Sequence, residues 1–185
     1  MELQDAIRNR RSIRKYQEKD VSDALVEKIV KAGTFAPFAF QRWLAIVVRE
    51  RKTKEEMLED FYAQRRNLHV LEAPVDIVVC CDFRENAENA PARRDHGKSD
   101  FKLVFGVQET AAMIQNMLLT AHELGLGACW NGSFNDRRVA AVLQLPEDVR
   151  PIAIVSLGYP SETPKMPARK SLKSTIYREK FGRTL

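Results

Sequence analysis

The stretch Arg8-Asn9-Arg10-Arg11-Ser12-Ile13-Arg14-Lys15-Tyr16 is the part of this 185-residue chain best equipped to grip a small anion. Arginine offers planar, multi-donor recognition of phosphate oxygens and stays charged at any useful pH. Ser12 adds a hydroxyl, and Ile13 and Tyr16 can tie the segment to a core. The same residues would also suit a solvated basic turn or a nucleic-acid contact, and taken alone they leave those readings open. Other chemistry is hard to find. There is no Ser-His-Asp pattern and no H-E-x-x-H, and His69, His96 and His122 lie far apart, each better read as a surface or satisfied core residue than as a ligand. Asp136 and Glu147 look like charges at helix ends. Cys80, Cys81 and Cys129 have no histidine at zinc-finger spacing, so no metal site is expected and all three are read as buried thiols in a reducing cytoplasm. With no general acid, base or nucleophile in evidence, the pattern fits an enzyme whose reactive group is a borrowed cofactor.

The elements that must position the basic segment follow from periodicity. Leu3, Ala6 and Ile7 at i, i+3 and i+4 predict a short amphipathic helix over Glu2 to Arg8, with the basic segment as its exit. Ser22 is placed to cap a helix running to about Ala32, with Gly33 as the C′ glycine. An aromatic loop, Phe35 to Trp43, leads into a buried strand at Leu44–Val48. Thr53 and Glu56 have capping-box spacing, predicting a helix from about Lys54 to Leu68. A second strand covers Val75 to Cys81, apolar except for Asp76, and Asp82 to Asp100 reads as a polar surface segment and the most mobile one. The longest helix, about Lys102 to Leu124, is apolar on several faces, which suggests packing on a sheet and against a second subunit. In Gly125-Leu126-Gly127 the helix precedes the strand, the reverse of a dinucleotide fingerprint, so Gly125 is read as a helix cap. Ala128–Trp130 is a short strand, Asn131-Gly132-Ser133 a tight loop, Asn135 the cap of a helix to about Leu143, and Pro151–Tyr159 the last strand. Helices and strands interleave without regular right-handed βαβ units, so the expected layering is helix, sheet, helix.

Composition bounds the class. A 44% hydrophobic content over this length supports one compact domain, 1–185, with no internal repeat. The net charge of +5 owes much to a basic tail between Lys165 and Arg183, which could hold an acidic ligand, an acidic partner or nucleic acid. No apolar run is long enough to span a bilayer, and the polar, acidic start is unlike a signal peptide, so a cytoplasmic protein without membrane contact is expected.

Arg10-Arg11-Ser12-Ile13-Arg14-Lys15-Tyr16 resembles the first signature of the FMN-dependent nitroreductase family. Ala36-Pro37 with Gln41-Arg42-Trp43 is similar to a reduced form of the second, Ala-Pro-Ser-x-x-Asn-x-Gln-Pro-Trp. Gln115 to Leu119 through Gly125 to Trp130 resembles the long helix and following strand, and Leu157–Pro160 with Pro167–Lys170 resembles the C-terminal signature. The resemblance spans nearly the whole chain in order. The chain departs from the family in the second signature, which is two residues short, lacks its Asn, and has Phe38 where Ser is usual and Arg42 where Pro is usual. The segment at Asp82–Asp100 is also short.

The resemblance implies an α+β fold, a three-layer α/β/α arrangement with a central, mainly antiparallel sheet, and an obligate homodimer with FMN at the interface. It implies that Arg10, Arg11 and Ser12 hold the phosphate and nearby polar atoms, that Arg14 sits by the flavin N1/O2 edge, and that Arg169 closes on the phosphate. Pro37, Phe38 and Ala39 would come from the other subunit, while Asn131 and Gly132 would present backbone N–H to N5. A fixed cation near N1 suits the negative charge of a reduced flavin, and Gly132 permits close backbone approach. The implied activity is NAD(P)H-dependent reduction of nitroaromatic, quinone or related small acceptors in ping-pong order. The competing readings are a specialised or non-catalytic flavin-binding protein, such as a flavin reductase or dehalogenase-like member, and a basic nucleic-acid-binding domain. The last is disfavoured because Phe35, Phe38, Phe40 and Trp43 cluster with apolar neighbours instead of interleaving with basic residues.

Overall fold

The computed structural model describes residues 1–59, 67–84 and 99–184, with side chains from 103 onward in the last stretch. In chain order the elements are α1 (Leu3–Asn9), α2 (Asp23–Gly33), β1 (Trp43–Val48), α3 (Arg51–Met57), α4 (Leu68–Glu72), β2 (Val75–Asp82), α5 (Ser99–Glu123), β3 (Gly127–Asn131), α6 (Asp136–Val142) and β4 (Val149–Gly158), followed by a 3₁₀ turn at Leu172–Ser174. The four strands form one open antiparallel sheet in the order β1-β2-β4-β3. The architecture is therefore α+β, and the sheet runs from β1 at one edge to β3 at the other.

The two central strands are buried on both sides, and their alternation divides the core. Val75, Ile77 and Val79 of β2 and Val155 and Leu157 of β4 join a cluster built with α2 and α5. Val78, Cys80 and Ile154 point the other way, into a cluster with Met57, Leu58, Val70 and Val139 from α3, α4 and α6. A strand with apolar residues at successive positions needs both faces covered, and β2 is buried from Val75 through Cys81. The end of α5 is a Schellman turn: Leu126 N–H donates to Ala121 O at 2.8 Å, Gly125 N–H to His122 O at 3.1 Å, and Gly125 takes φ +76°. Gly127 then lets the basic segment lie against β3, because a Cβ there would fall 2.7 Å from Ile13 Cβ. Ile13 N–H donates to Ala128 O, and Ser12 bridges Ala128 in parallel.

Several expectations are corrected. Gly33 is the last helical residue of α2 and not its left-handed cap; its small size is needed because a Cβ would lie 2.8 Å from Met113 Cγ of α5. β1 is a half-exposed edge strand, not a buried one, with Leu44 38% and Val47 43% exposed. α3 starts at Arg51, before the supposed capping box, and Thr53 donates back to Glu50 instead. Leu68 opens the separate helix α4, and residues 60–66 lie outside the described ones. So do residues 85–98, the larger part of the segment expected to be most mobile, and with them His96. Asn131 closes β3 and is not in a loop. Two local expectations hold: the three thiols are free and buried, and Asn135 caps α6 by accepting from Arg138 N–H at 3.0 Å.

Candidate functional site

The basic segment leaves α1 and is stapled on both sides. Ile13 and Ser12 follow β3, while Gln17 N–H donates to Tyr159 O and Ser161 N–H to Lys15 O, which brings the start of the tail alongside. The Tyr16 hydroxyl donates to Ile13 O at 2.6 Å, locking the turn, and burial pushes its pKa up. The tail's Glu162 accepts from Arg14 N–H at 2.6 Å.

Three of the expected phosphate residues come together. Burial lowers the pKa of the Arg10 guanidinium, and the adjacent charges of Arg11 and Arg169 lower it further. Arg11 is partly committed to its own backbone, its Nη1 donating to Arg8 O and Arg10 O at 2.8 Å each, where it also meets the negative end of α1. His122, near the end of α5, faces the same cations: burial, then Arg10 and Arg11, lower its pKa, and its buried Nε2 has no hydrogen-bond partner. Converging cations with an unpartnered imidazole nitrogen are an unfavourable arrangement that a phosphate would relieve. The donor set therefore fits a phosphate-bearing cofactor.

Beside this group, Cys129 is raised in pKa by burial and is lowered by Arg14, a hydrogen bond with Ser12, and Arg10. Ser12 and Arg14 are thus placed at the β3 edge with the arginines. Asn131 shares that edge but turns its side chain inward. Its Nδ2 donates to Ile154 O at 2.8 Å and to Ser156 Oγ at 3.1 Å, and its Oδ1 lies 2.5 Å from His69 Nε2. Burial depresses the pKa of His69, so it is held as a neutral partner of Asn131. Gly132 is exposed, and a Cβ there would meet only Trp130 Nε1 at 3.8 Å. The protein's own packing does not require glycine at that position, whereas close approach of a flat ligand would.

Pro37, Phe38 and Ala39 are exposed and stand apart from these residues. Their loop enters β1, at the sheet edge opposite β3. Three strand spacings, roughly 14 Å, separate the two edges. The loop is clasped by Glu109 of α5, which is 5% exposed and accepts from Ala39 N–H at 2.6 Å, Phe40 N–H at 2.9 Å and Arg42 N–H at 3.4 Å. Phe38 packs edge-on against Trp43 with centroids 5.8 Å apart, and Arg42 lies 5.0 Å from the Phe40 ring centroid. Glu109 escaped the sequence reading. Its signal was a carboxylate one turn before the buried Met113, a core-facing position that demands a partner. His122 was legible only as a surface or satisfied core residue, because its proximity to Arg10 and Arg11 is purely tertiary.

A model of the Nitroreductase family matches residues 7–68 and 61–159. A relative from Methanothermobacter thermautotrophicus is 38% identical over 170 residues, covering 89% of this chain and 80% of that one. The oxygen-insensitive NADPH nitroreductase of Salmonella typhimurium is 29% identical over 175 residues, covering 92% of this chain and 71% of the relative. Among solved structures, NfrA1 of B. megaterium superposes with a TM-score of 0.84 at 26% identity, covering 97% of this chain and 74% of that one.

Proposed function

The chain belongs to the nitroreductase family, and from that premise we propose that it is an FMN-dependent oxidoreductase that uses NAD(P)H to reduce nitroaromatic, quinone or related small acceptors. Oxidoreduction with a nicotinamide is the activity that the names of its relatives carry. The observation that supports FMN is the convergence of Arg10, Arg11 and Arg169 on one another, with the unpartnered His122 Nε2 beside them.

In this reading Arg10, Arg169 and Ser12 hold the phosphate and nearby polar atoms, with Arg11 contributing what its bonds to α1 leave free. Arg14 places a fixed cation at the flavin N1/O2 edge. Asn131 and Gly132 present backbone N–H to N5, the glycine leaving room for the ring. The chemistry a bound FMN supplies is hydride transfer at N5, from NAD(P)H in one half-reaction and to the acceptor in the other, in ping-pong order. The protein's part is to bind, orient and neutralise charge.

The reading includes a homodimer of three-layer α/β/α subunits, and the two core clusters on opposite faces of the sheet support that layering. Pro37, Phe38 and Ala39 lie on the opposite sheet edge from Asn131 and Gly132, so they can share a site only if a second copy supplies them. Exposed Leu3, Ile7, Val104, Leu172 and Phe181 offer the apolar surface that an obligate interface buries. No helix among the described residues is long and apolar enough to cross a membrane.

Purified protein should be yellow, lose its colour with NADH or NADPH under anaerobic conditions, and regain it with a quinone or nitroaromatic. A protein that takes up no FMN on titration overturns the reading. Yellow protein that neither nucleotide bleaches supports the non-catalytic flavin-binding alternative instead.

A further inference from the structure

One row of the sheet is polar and buried. Asp76 of β2, Ser156 of β4 and Cys129 of β3 stand opposite one another in register, with exposures of 0%, 0% and 1%. The row begins at Lys54 of α3, itself 1% exposed, whose Nζ lies 2.8 Å from Asp76 Oδ2 and donates to Ala73 O at 2.6 Å. Neither Asp76 oxygen has a donor in full hydrogen-bond alignment, so charge more than directional bonding binds the pair. Ser156 stands directly across from Asp76 on the neighbouring strand and accepts from Asn131 Nδ2 at 3.1 Å. A hydroxyl that accepts on one side keeps its proton free to donate on the other, the side on which the Asp76 strand lies. Because Asn131 Nδ2 donates to Ile154 O and Ser156, its Oδ1 must accept, which places the His69 proton on Nε2. The amide of Asn131 is thus oriented from both ends.

A buried ion pair is a poor way to stabilise a core, since apolar residues of similar volume serve as well or better. The cluster on the opposite face closes over the same strands with apolar side chains. The polar row also leads somewhere: Cys129 at its end borders Ser12, Arg14 and Arg10.

We propose that the buried Lys54–Asp76 pair, acting through Ser156, is a positioning device that fixes the Asn131 side-chain amide and with it the Asn131–Gly132 strand end presented to the cofactor. Its functional meaning rests on the FMN reading, whereas its hold on Asn131 does not. Lys54, Asp76 and Ser156 touch no cofactor atom in this account; they act through Asn131.

Two variants test it. Ser156→Ala removes the middle link and leaves both charges, and Lys54→Met/Asp76→Leu replaces the charges with apolar groups. The first readout is hydrogen exchange of the Asn131 side-chain amide and the Gly132 N–H, followed by NMR in the FMN-free protein. The second is the midpoint potential of bound FMN. Both variants should fold, and exchange at Asn131 and Gly132 should quicken by about tenfold, as expected for loss of one restraining hydrogen bond. Exchange at Val79 and Ala153 should stay as in the wild type, and the flavin potential should shift. Unchanged exchange at Asn131 in both variants overturns the positioning role, whether or not FMN binds. Faster exchange with an unchanged potential overturns the link to the cofactor's reactive edge. If the wild type binds no FMN, the FMN reading fails by that result, and exchange still decides whether the network holds Asn131.

Discussion

The two faces of the sheet solve the same packing problem differently. The face under α2 and α5 is closed over the central strands by apolar side chains such as Ile77, Ile114, Met117 and Val155. The face under α3, α4 and α6 has a comparable apolar cluster, but Lys54, Asp76, Ser156, Asn131 and His69 are buried among or beside it. Over the central strands the first face needs only volume and shape, and its buried Glu109 serves the loop before β1. The second contains charge that burial disfavours: desolvation raises the Asp76 pKa to about 7 against the pull of Lys54 and Ser156. A fold that can close one face of its central strands without buried charge does not need it on the other for stability. The difference marks the second face as the one shaped by the site at the β3 edge.

The comparison breaks most sharply on removal of Lys54. Lys54→Met leaves a buried carboxylate without its counter-charge, which typically costs roughly 3–5 kcal/mol. Lys54 holds the Asp76 pKa down, so without it the carboxyl titrates higher still; the cost should be small at pH 6, where the carboxyl keeps its proton, and grow toward pH 8. On the other face, Ile114→Ala should cost about 2–5 kcal/mol from lost burial and the cavity left behind, with no such change over the same pH range. Denaturant unfolding at the two pH values checks both. Equal pH behaviour of the two variants would remove the distinction between the faces.

A second test concerns the end of the polar face, where the arginines gather. Arg10→Ala or Arg169→Ala should weaken FMN by tenfold or more while riboflavin is little affected. Losing a charge-assisted bond to phosphate costs roughly 1.5–3 kcal/mol. Fluorescence titration with the two flavins reads the difference, and equal weakening of both would take these arginines off the phosphate.

Much of this was legible in the sequence, for identifiable reasons. α2, α5, β2 and β4 are long or strongly patterned, and the Gly125 cap and the Asn135 cap are local signals that do not depend on distant contacts. The density of basic residues from Arg8 to Lys15 pointed to an anion grip before any partner was visible. What stayed hidden was tertiary. Asp76 looked like a polar interruption in a strand, and nothing local says that Lys54, on another element, lies 2.8 Å away. Gly33 suited a cap by position, but the approach of Met113 decides its role. β1 carries the apolar composition of a central strand and sits at the edge because of topology, which composition does not encode.

The pH dependence of stability sharpens the comparison further. The folded-state pKa of Asp76 lies above its ordinary value, so its contribution to stability is complete below that ordinary value and is lost as pH rises through about 7. Lys54 on α3 and Ser156 on β4 face the carboxyl, Val48 stands opposite on β1, and the half-buried Tyr16 phenol is also within its influence. His69 and His122 have lowered pKa values, so their stabilising effect is lost only as pH falls, below the window of interest. From about pH 6.5 to about 7.5 the wild type should therefore lose stability with rising pH, by less than about 1.4 kcal/mol per pH unit from this one group, and level off above that. Asp76→Asn should flatten that slope, as measured by urea unfolding across the window. A slope unchanged by the substitution would show that the carboxyl is not titrating there.

The smallest expected effect lies at the far edge of the sheet, in the loop that the polar face does not reach. Pro37 leaves α2 from a fixed point, and Trp43 begins β1, so the intervening residues have little slack. Glu109 removes most of what remains by accepting from three backbone N–H groups of the loop. A loop so held cannot fold Phe38 inward, and the ring is 54% exposed, resting edge-on against Trp43. Burial in this subunit's core is therefore excluded as the reason for the phenylalanine. In the proposed homodimer two roles are left: stacking on a flat acceptor in a site shared between subunits, or packing in the dimer interface. Aromatic stacking contributes about 0.5–1.5 kcal/mol beyond area burial, a change of up to roughly tenfold in KM or kcat. Phe38→Ser should change the kinetics with quinone-like acceptors by that amount and leave the melting temperature and sedimentation of the protein almost unchanged. A weakened dimer with unaltered kinetics per folded molecule would assign Phe38 to the interface and leave the acceptor to be recognised by other residues.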